Sequence, residues 1–206
     1  MDYIPPNALI HIPVLVREYK SYWPDHPYPS TLASQVEQET CISLKHSKCW
    51  STRAELKTSR EYGFGLGQIT ITSKFNNFDV IKAQNASLKD WSFEDRYNSQ
   101  KQIIALLTFN KSIYTRIIGA SDPTNKLLFS YAAYNGGAGG LNSDRRVCKA
   151  TPGCDSTKWF GHVEKTSLKQ KTATSGYGKS FYEINREYVT NIYYVRRPKY
   201  DTFFSN

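Results

Sequence analysis

The chain has 206 residues and a net charge of +9, from 27 basic and 18 acidic side chains. That length fits one domain. Hydrophobic residues make up 39% and aromatic residues 14%, enough for a folded, soluble protein whose core uses tyrosine and tryptophan rather than a disordered chain. The charge favours polyanions: nucleic acid, anionic lipid or an acidic cell-wall polymer. The basic residues are spread along the chain and no nucleic-acid motif appears, so nucleic acid is not an expected partner. No apolar run reaches the length of a membrane span, so stable membrane insertion is not expected. The start, Met1-Asp2-Tyr3-Ile4-Pro5-Pro6, lacks the basic region and apolar stretch of a secretory signal. Retention in a cytoplasm, or exit by another route, is expected.

Helix signals dominate. Pro13 suits the first turn of a helix running to about Tyr22, with Leu15, Val16 and Tyr19 on one face. Pro24, Pro27 and Pro29 mark a loop, so residues 1–29 form an N-terminal helix and connection. Ser30 is placed as the N-cap of the next helix, on which Leu32, Val36 and Glu39 share a face. Residues 41–60 have no clear period and predict a loop or small hairpin. Gln68-Ile69-Thr70-Ile71-Thr72 predicts a short strand or a helix start. Residues 99–118 predict a central helix, with Ile103, Ile104, Leu107, Tyr114, Ile117 and Ile118 as its apolar stripe. Residues 125–134 predict another helix, ending at Gly136-Gly137. Residues 138–180 break the pattern and predict a long insertion without secondary structure. A last amphipathic helix is expected over 181–196, with Phe181, Ile184, Tyr188, Ile192 and Val195 inward and Pro198 as its stop. No internal repeat is visible. The fold class is mainly α, one domain over 1–206 with the insertion 138–180 and at most a small β element.

The four cysteines form two local pairs, Cys41/Cys49 and Cys148/Cys154. Short disulfide loops, free buried thiols and a zinc site in which Cys41, His46 and Cys49 are joined by Cys148 or Cys154 are all compatible with the spacing, although it is not that of a standard finger.

Two features point to chemistry. Glu39 lies on the apolar face and in the last turn of its helix, where desolvation and the negative helix end both disfavour a second negative charge. A carboxyl group kept protonated near neutral pH is what glycosidic cleavage requires. Taken alone, a glutamate in a last helical turn is usually a solvated surface residue. The second feature is Gly63-Phe64-Gly65-Leu66-Gly67-Gln68, whose glycines let backbone turn sharply or approach a ligand. It is not a phosphate loop, because no Lys-Ser/Thr follows. An ordinary glycine-rich turn is the plain alternative.

Together with other segments, these residues carry a family likeness. Val36-Glu37-Gln38-Glu39-Thr40-Cys41-Ile42 resembles the catalytic stretch of soluble lytic transglycosylases and goose-type lysozymes, with Thr40 where the family usually has Ser. Gly65-Leu66-Gly67-Gln68-Ile69 is similar to their Gly-Leu-Met-Gln-(Ile/Leu/Val) segment, with Gly67 in place of Met. Tyr97-Asn98 before a helix resembles their Asn-Ile stretch, Ala132 to Gly137 their Ala-Tyr-Asn-Ala-Gly, and Glu183 to Ile192 their closing Glu-Thr-Arg-x-Tyr-Val-x-x-Val with one residue inserted. Five motifs in family order are far more specific than any one of them.

The resemblance implies a lysozyme-like α fold that cleaves the β-1,4 bond between N-acetylmuramic acid and N-acetylglucosamine in peptidoglycan. Glu39 would be general acid, then general base. Gly65, Leu66, Gln68, Tyr134 and Asn135 would line the saccharide groove, and Tyr188 would hold Glu39 through its hydroxyl. A core role for Tyr188 and a helix-capping role for Asn135 are the alternatives. No metal and no cofactor are expected, and a monomer is. The acidic positions that goose-type lysozymes carry near the glycine segment fall on Ser59 and Thr70, so no matched second carboxylate holds a water. A transglycosylase giving 1,6-anhydro products is therefore favoured, with Glu61 as the possible second acid of a hydrolase. In the insertion, the least polar stretch, Trp159-Phe160-Gly161-His162, is expected to pack on the groove rim, stack on a sugar or simply fill space, and His162 to be structural. The charge and the missing export signal suit a bacteriophage lysin, either an endolysin passing from host cytoplasm to wall or one carried in the virion.

Overall fold

The computed structural model describes residues 2–169 and 171–205; Met1, Gln170 and Asn206 lie outside the described residues. The chain is mainly helical with a three-stranded antiparallel sheet, and it divides into two compact units. One comprises residues 1–109 with 194–206, the other residues 110–193.

In the first unit, α1 spans Pro6–Tyr22 and α2 spans Ser30–Thr40. The helix expected from Pro13 begins a full two turns earlier. Pro6 occupies the first turn, and Pro13 lies inside the helix on its exposed side, where water can satisfy the carbonyl its missing N–H leaves unpaired. Ala8, Ile12, Leu15 and Tyr19 form the buried stripe at helical spacing, while Val16 is half-buried. Ser30 is the first helical residue rather than a cap, and its hydroxyl donates to Asp201 at 2.6 Å.

The helix α2 is not amphipathic in the expected sense. Every residue from Ser30 to Glu37 is buried, as is Thr40. Such a helix packs on all sides, and its small and polar residues (Thr31, Ser34, Gln35) hid that from a hydrophobicity pattern. It packs against the turn Arg197–Tyr200 and the short helix α8, Asp201–Phe204. Pro198 therefore opens a tight turn instead of ending the chain's helical structure.

The loop after α2 leads into β1 (Glu55–Lys57), β2 (Glu61–Phe64) and β3 (Ile69–Thr72), in the order β1-β2-β3. Phe64 faces Ile69 and Tyr62 faces Ile71. These side chains join Phe78 and Ile81 of α3 (Asn77–Gln84), Leu88, Trp91 and Ala105 in one apolar cluster. The opposite sheet face carries Leu56, Glu61, Gly63, Thr70 and Thr72.

The helix α4, Ser99–Arg116, buries Ile103, Ala105, Leu106 and Leu107. Asn98 accepts from the Lys101 amide at 2.9 Å at its start. The expected stripe does not run to its end: the helix stops at Arg116, and Ile118 is 79% exposed.

In the second unit, α5 (Pro123–Gly136) packs against α6 (Ala138–Lys149) and α7 (Phe181–Thr190). Gly137, with φ 84°, ends one helix and opens the next. The expectation of an unstructured insertion over 138–180 is thus corrected: its first third is a helix, and a 3-10 turn covers Val163–Lys165. The buried positions of α6 are Leu141, Asp144 and Cys148, at spacings of three and four. An aspartate in the middle of that stripe erased its hydrophobic signature.

Asp144 is buried because its charge is matched. Lys169 Nζ reaches Oδ2 at 2.7 Å, Arg186 at 2.9 Å, and the Ser167 hydroxyl donates to Oδ1 at 2.7 Å. Arg186 also donates to the carbonyls of Val163, Glu164 and Thr166. One guanidinium thereby fixes the inserted segment to α6 and α7. Trp159 is fully buried, with its ring 6.3 Å from that of Phe129, so it packs and does not stack on a sugar. His162 accepts from the Asp155 amide at 2.9 Å, a structural role.

The last helix also differs from expectation. Asn185, Tyr188, Val189 and Ile192 are inward, while Phe181 is 39% and Val195 65% exposed. The turn Asn191–Arg196 is π-helical. Its wider winding rotates the later residues out of the register that a 3.6-residue period predicts. Both cysteine pairs are disulfides, Cys41–Cys49 and Cys148–Cys154. Among the described residues no helix is long and apolar enough to cross a membrane.

Candidate active site

Glu39 sits in the last turn of α2 and, with Gln38, is half-buried in a helix otherwise closed to solvent. Its neighbours are held from several directions. Thr40 donates to the Val36 carbonyl at 2.7 Å and accepts from the Trp50 amide at 2.9 Å. Cys41, which caps the helix, is bonded to Cys49. Glu37 is completely buried: Oε1 accepts from the Tyr200 hydroxyl and from Lys199 Nζ, each at 2.6 Å, and Oε2 from Arg196 at 2.9 Å. The Trp50 indole donates to Tyr200 at 3.0 Å. Burial, then the Glu37 carboxylate, holds the Tyr200 phenol well above its ordinary value, so it remains a donor.

The glycine segment is the β2–β3 hairpin turn. Gly65 has φ 80°, and a Cβ there would lie 2.5 Å from Gln102 Cδ. Both constraints demand glycine. Its amide donates to Ala54 at 2.8 Å, and the Leu66 amide donates to Gln102 Oε1 at 2.9 Å. Gln102 is itself buried and reaches the Thr52 and Arg96 carbonyls. Gln68 donates from Nε2 to Ala54 and to Gly65, each at 2.8 Å, and closes the turn through its own amide.

The loop Cys49–Ala54 is therefore bonded at one end to α2 and at the other to the glycine turn. Among the described residues, the non-glycine residues with positive φ are Trp50 (55°) and Gln68 (47°), one at each of these attachments. Left-handed backbone is costly for a bulky side chain, and such strain concentrates at functional sites.

Several expected roles are altered. Leu66 is fully buried, so its side chain belongs to the core instead of lining a groove. Both Gln68 amide hydrogens serve the turn, leaving Oε1 above Gly63, where a Cβ would approach it to 3.1 Å. Glu61 opens β2 opposite Thr72, half-buried, on the sheet face of Gly63 and Thr70. Thr70 donates to the Gln68 carbonyl at 2.9 Å.

Tyr134, Asn135 and Tyr188 belong to the second unit. The Tyr134 and Tyr188 rings lie 6.4 Å apart and nearly parallel, at 14°. Tyr188 is buried, whereas Asn135 is exposed inside α5 and accepts from Asn185 Nδ2 at 3.1 Å. It is not a helix cap. Asn185, at the centre of the buried face of α7, also donates to the Ala132 carbonyl at 3.0 Å.

The residues that sequence patterns missed are Glu37, Arg196, Tyr200, Trp50 and Gln102. Glu37 had the spacing of a surface acid. The basic run Arg196-Arg197-Pro198-Lys199 was the available signal, since cations clustered beside an apolar helix call for a buried acid. No family model matches this chain, and no curated protein matches it.

Proposed function

We propose that the protein cleaves the glycan strands of bacterial peptidoglycan, with Glu39 as the general acid. The observation that carries this is the placement of Glu39: an opening to solvent at the end of an otherwise buried helix, braced to a strained glycine hairpin. The ordered likeness of five segments to lytic transglycosylases and goose-type lysozymes supports the same substrate. Glu39 protonates the leaving glycosidic oxygen. As carboxylate it then takes the proton of the sugar's own 6-hydroxyl, which attacks the anomeric carbon. One bond breaks, one forms, no water is consumed, and the product is a 1,6-anhydro sugar. Positions 59 and 70, which carry no acid, favour this intramolecular route.

Glu61 supports a second reading. It shares its sheet face with Gly63, and a carboxylate there that activates water would make the enzyme a hydrolase. Mass spectrometry of digested peptidoglycan separates the two. Anhydro fragments, lighter by one water, are expected, and fragments bearing only free reducing ends would instead assign hydrolysis and implicate Glu61. Glu39→Gln is expected to abolish release of any fragment, a loss of at least ~100-fold for removal of a general acid. Undiminished lysis by that variant would overturn the assignment.

A further inference from the structure

Three side chains in the last turn of α2, those of Glu37, Gln38 and Thr40, are held by named partners. Glu37 is held by Arg196, Lys199 and Tyr200, and Thr40 by the Trp50 amide. Gln38 is held by Arg196 as well: Nε donates to Gln38 Oε1 at 2.8 Å while NH1 donates to Glu37 Oε2 at 2.9 Å. One planar guanidinium thus spans two consecutive residues immediately before Glu39. These contacts are local to α2 and the segment 196–200, which lie in one unit.

Stability alone does not require this arrangement. A buried acid needs one counter-charge, and Lys199, 9% exposed, already supplies it at 2.6 Å. The second cation, 21% exposed, reaches past Glu37 to a neutral amide. What the fork adds is orientation: it fixes the rotation of the helix end about its own axis, and with it the direction in which position 39 leaves the backbone. General-acid catalysis is sensitive to this, since misplacement by about 1 Å can cost about 100-fold. Lysine has no planar fork and cannot reproduce the paired contact.

Resting on the assignment of Glu39 as catalytic acid, we propose that Arg196 is a positioning residue for this reaction, aiming Glu39 by clamping Glu37 and Gln38 together.

The test uses Arg196→Lys and Gln38→Ala in the full chain, assayed on soluble glycan strands for kcat and KM, with melting temperature measured alongside. Both variants leave Glu37 a cation, which guards against misfolding. A fall in kcat of about tenfold or more is expected, with KM within about twofold of the parent and the fold retained. Unchanged kcat in both variants, where Glu39→Gln is inactive, overturns the positioning role and leaves the proposed function standing. A loss of kcat that appears only together with a matching loss of folded protein also overturns it, since that is a structural effect. Full activity of Glu39→Gln would instead remove the assignment on which the role rests.

Discussion

His26 gives the fold an acid sensitivity whose size follows from its surroundings. The ring lies in the loop after α1, 6% exposed, with its centroid 4.2 Å from that of Trp23. Nδ1 accepts from the Tyr28 amide at 3.0 Å, so the proton resides on Nε2. Nε2 is buried with no hydrogen-bond partner. Burial pushes the pKa from 6.5 down to about 3. Because the folded pKa is depressed, the unfolded chain binds the proton more readily. The stabilising effect of neutral His26 is complete above about pH 6.5 and is lost progressively as pH falls toward about 3. Going from pH 7.5 to pH 5 removes about 1.5 pH units' worth of proton linkage, or about 2 kcal/mol. For a chain of this size that is a drop in melting temperature of about 4–8 °C. Thermal or urea unfolding at the two pH values, on the parent and on His26→Phe, measures it. The phenyl ring keeps the packing on Trp23 and removes the Nδ1 acceptor of the Tyr28 amide at every pH, so it lowers stability by a constant while deleting the slope. His11, whose pKa burial also lowers, contributes to both proteins and cancels in the difference. A parent and variant that lose the same stability between pH 7.5 and pH 5 would refute the linkage to His26.

Two further substitutions test the frame around the sites. Gly65→Ala places a methyl at φ 80° and 2.5 Å from Gln102, and should destabilise the protein by about 1–3 kcal/mol in urea unfolding; a cost under about 0.5 kcal/mol would show that Gln102 moves freely. Asp144→Asn leaves Lys169 and Arg186 partly buried without their carboxylate, and should cost about 3 kcal/mol or more by the same measurement.

What could be read from the residues was set by how far a signal reaches along the chain. The hairpin was legible only in part: the alternating Ile and Thr within 68–72 are a local signal that fits a short strand or a helix start, and the glycines a turn, whereas the end of α5 at Gly136-Gly137 was legible outright, since Gly137 is required by its own φ of 84°. The buried all-round helix α2 was not. Threonine, serine and glutamine at its buried positions have the composition of a surface, and only partners elsewhere in the chain reveal that they are inside. In α6, the aspartate at the heart of the buried face made a helix look like an insertion. In both cases a polar residue was buried because its partner lies far away in sequence: 22 residues or more for Asp144, and 159 or more for Glu37.

The same distinction bears on the two acids of α2. By sequence, Glu39 is the acid on the apolar face and Glu37 reads as a surface acid of the same helix. The structure separates them by environment. Glu37 is surrounded by two cations and a phenol, so its charge is consumed in holding the C-terminal segment onto the helix. A carboxylate so compensated cannot be lent to a substrate without breaking the clamp. Glu39, two residues on and rotated about 200° around the helix by its 3.6-residue period, keeps contact with solvent. Under the proposed function, the buried acid and the half-buried acid divide the tasks that one glutamate could not perform: Glu37 fixes the helix end, and Glu39 transfers the proton.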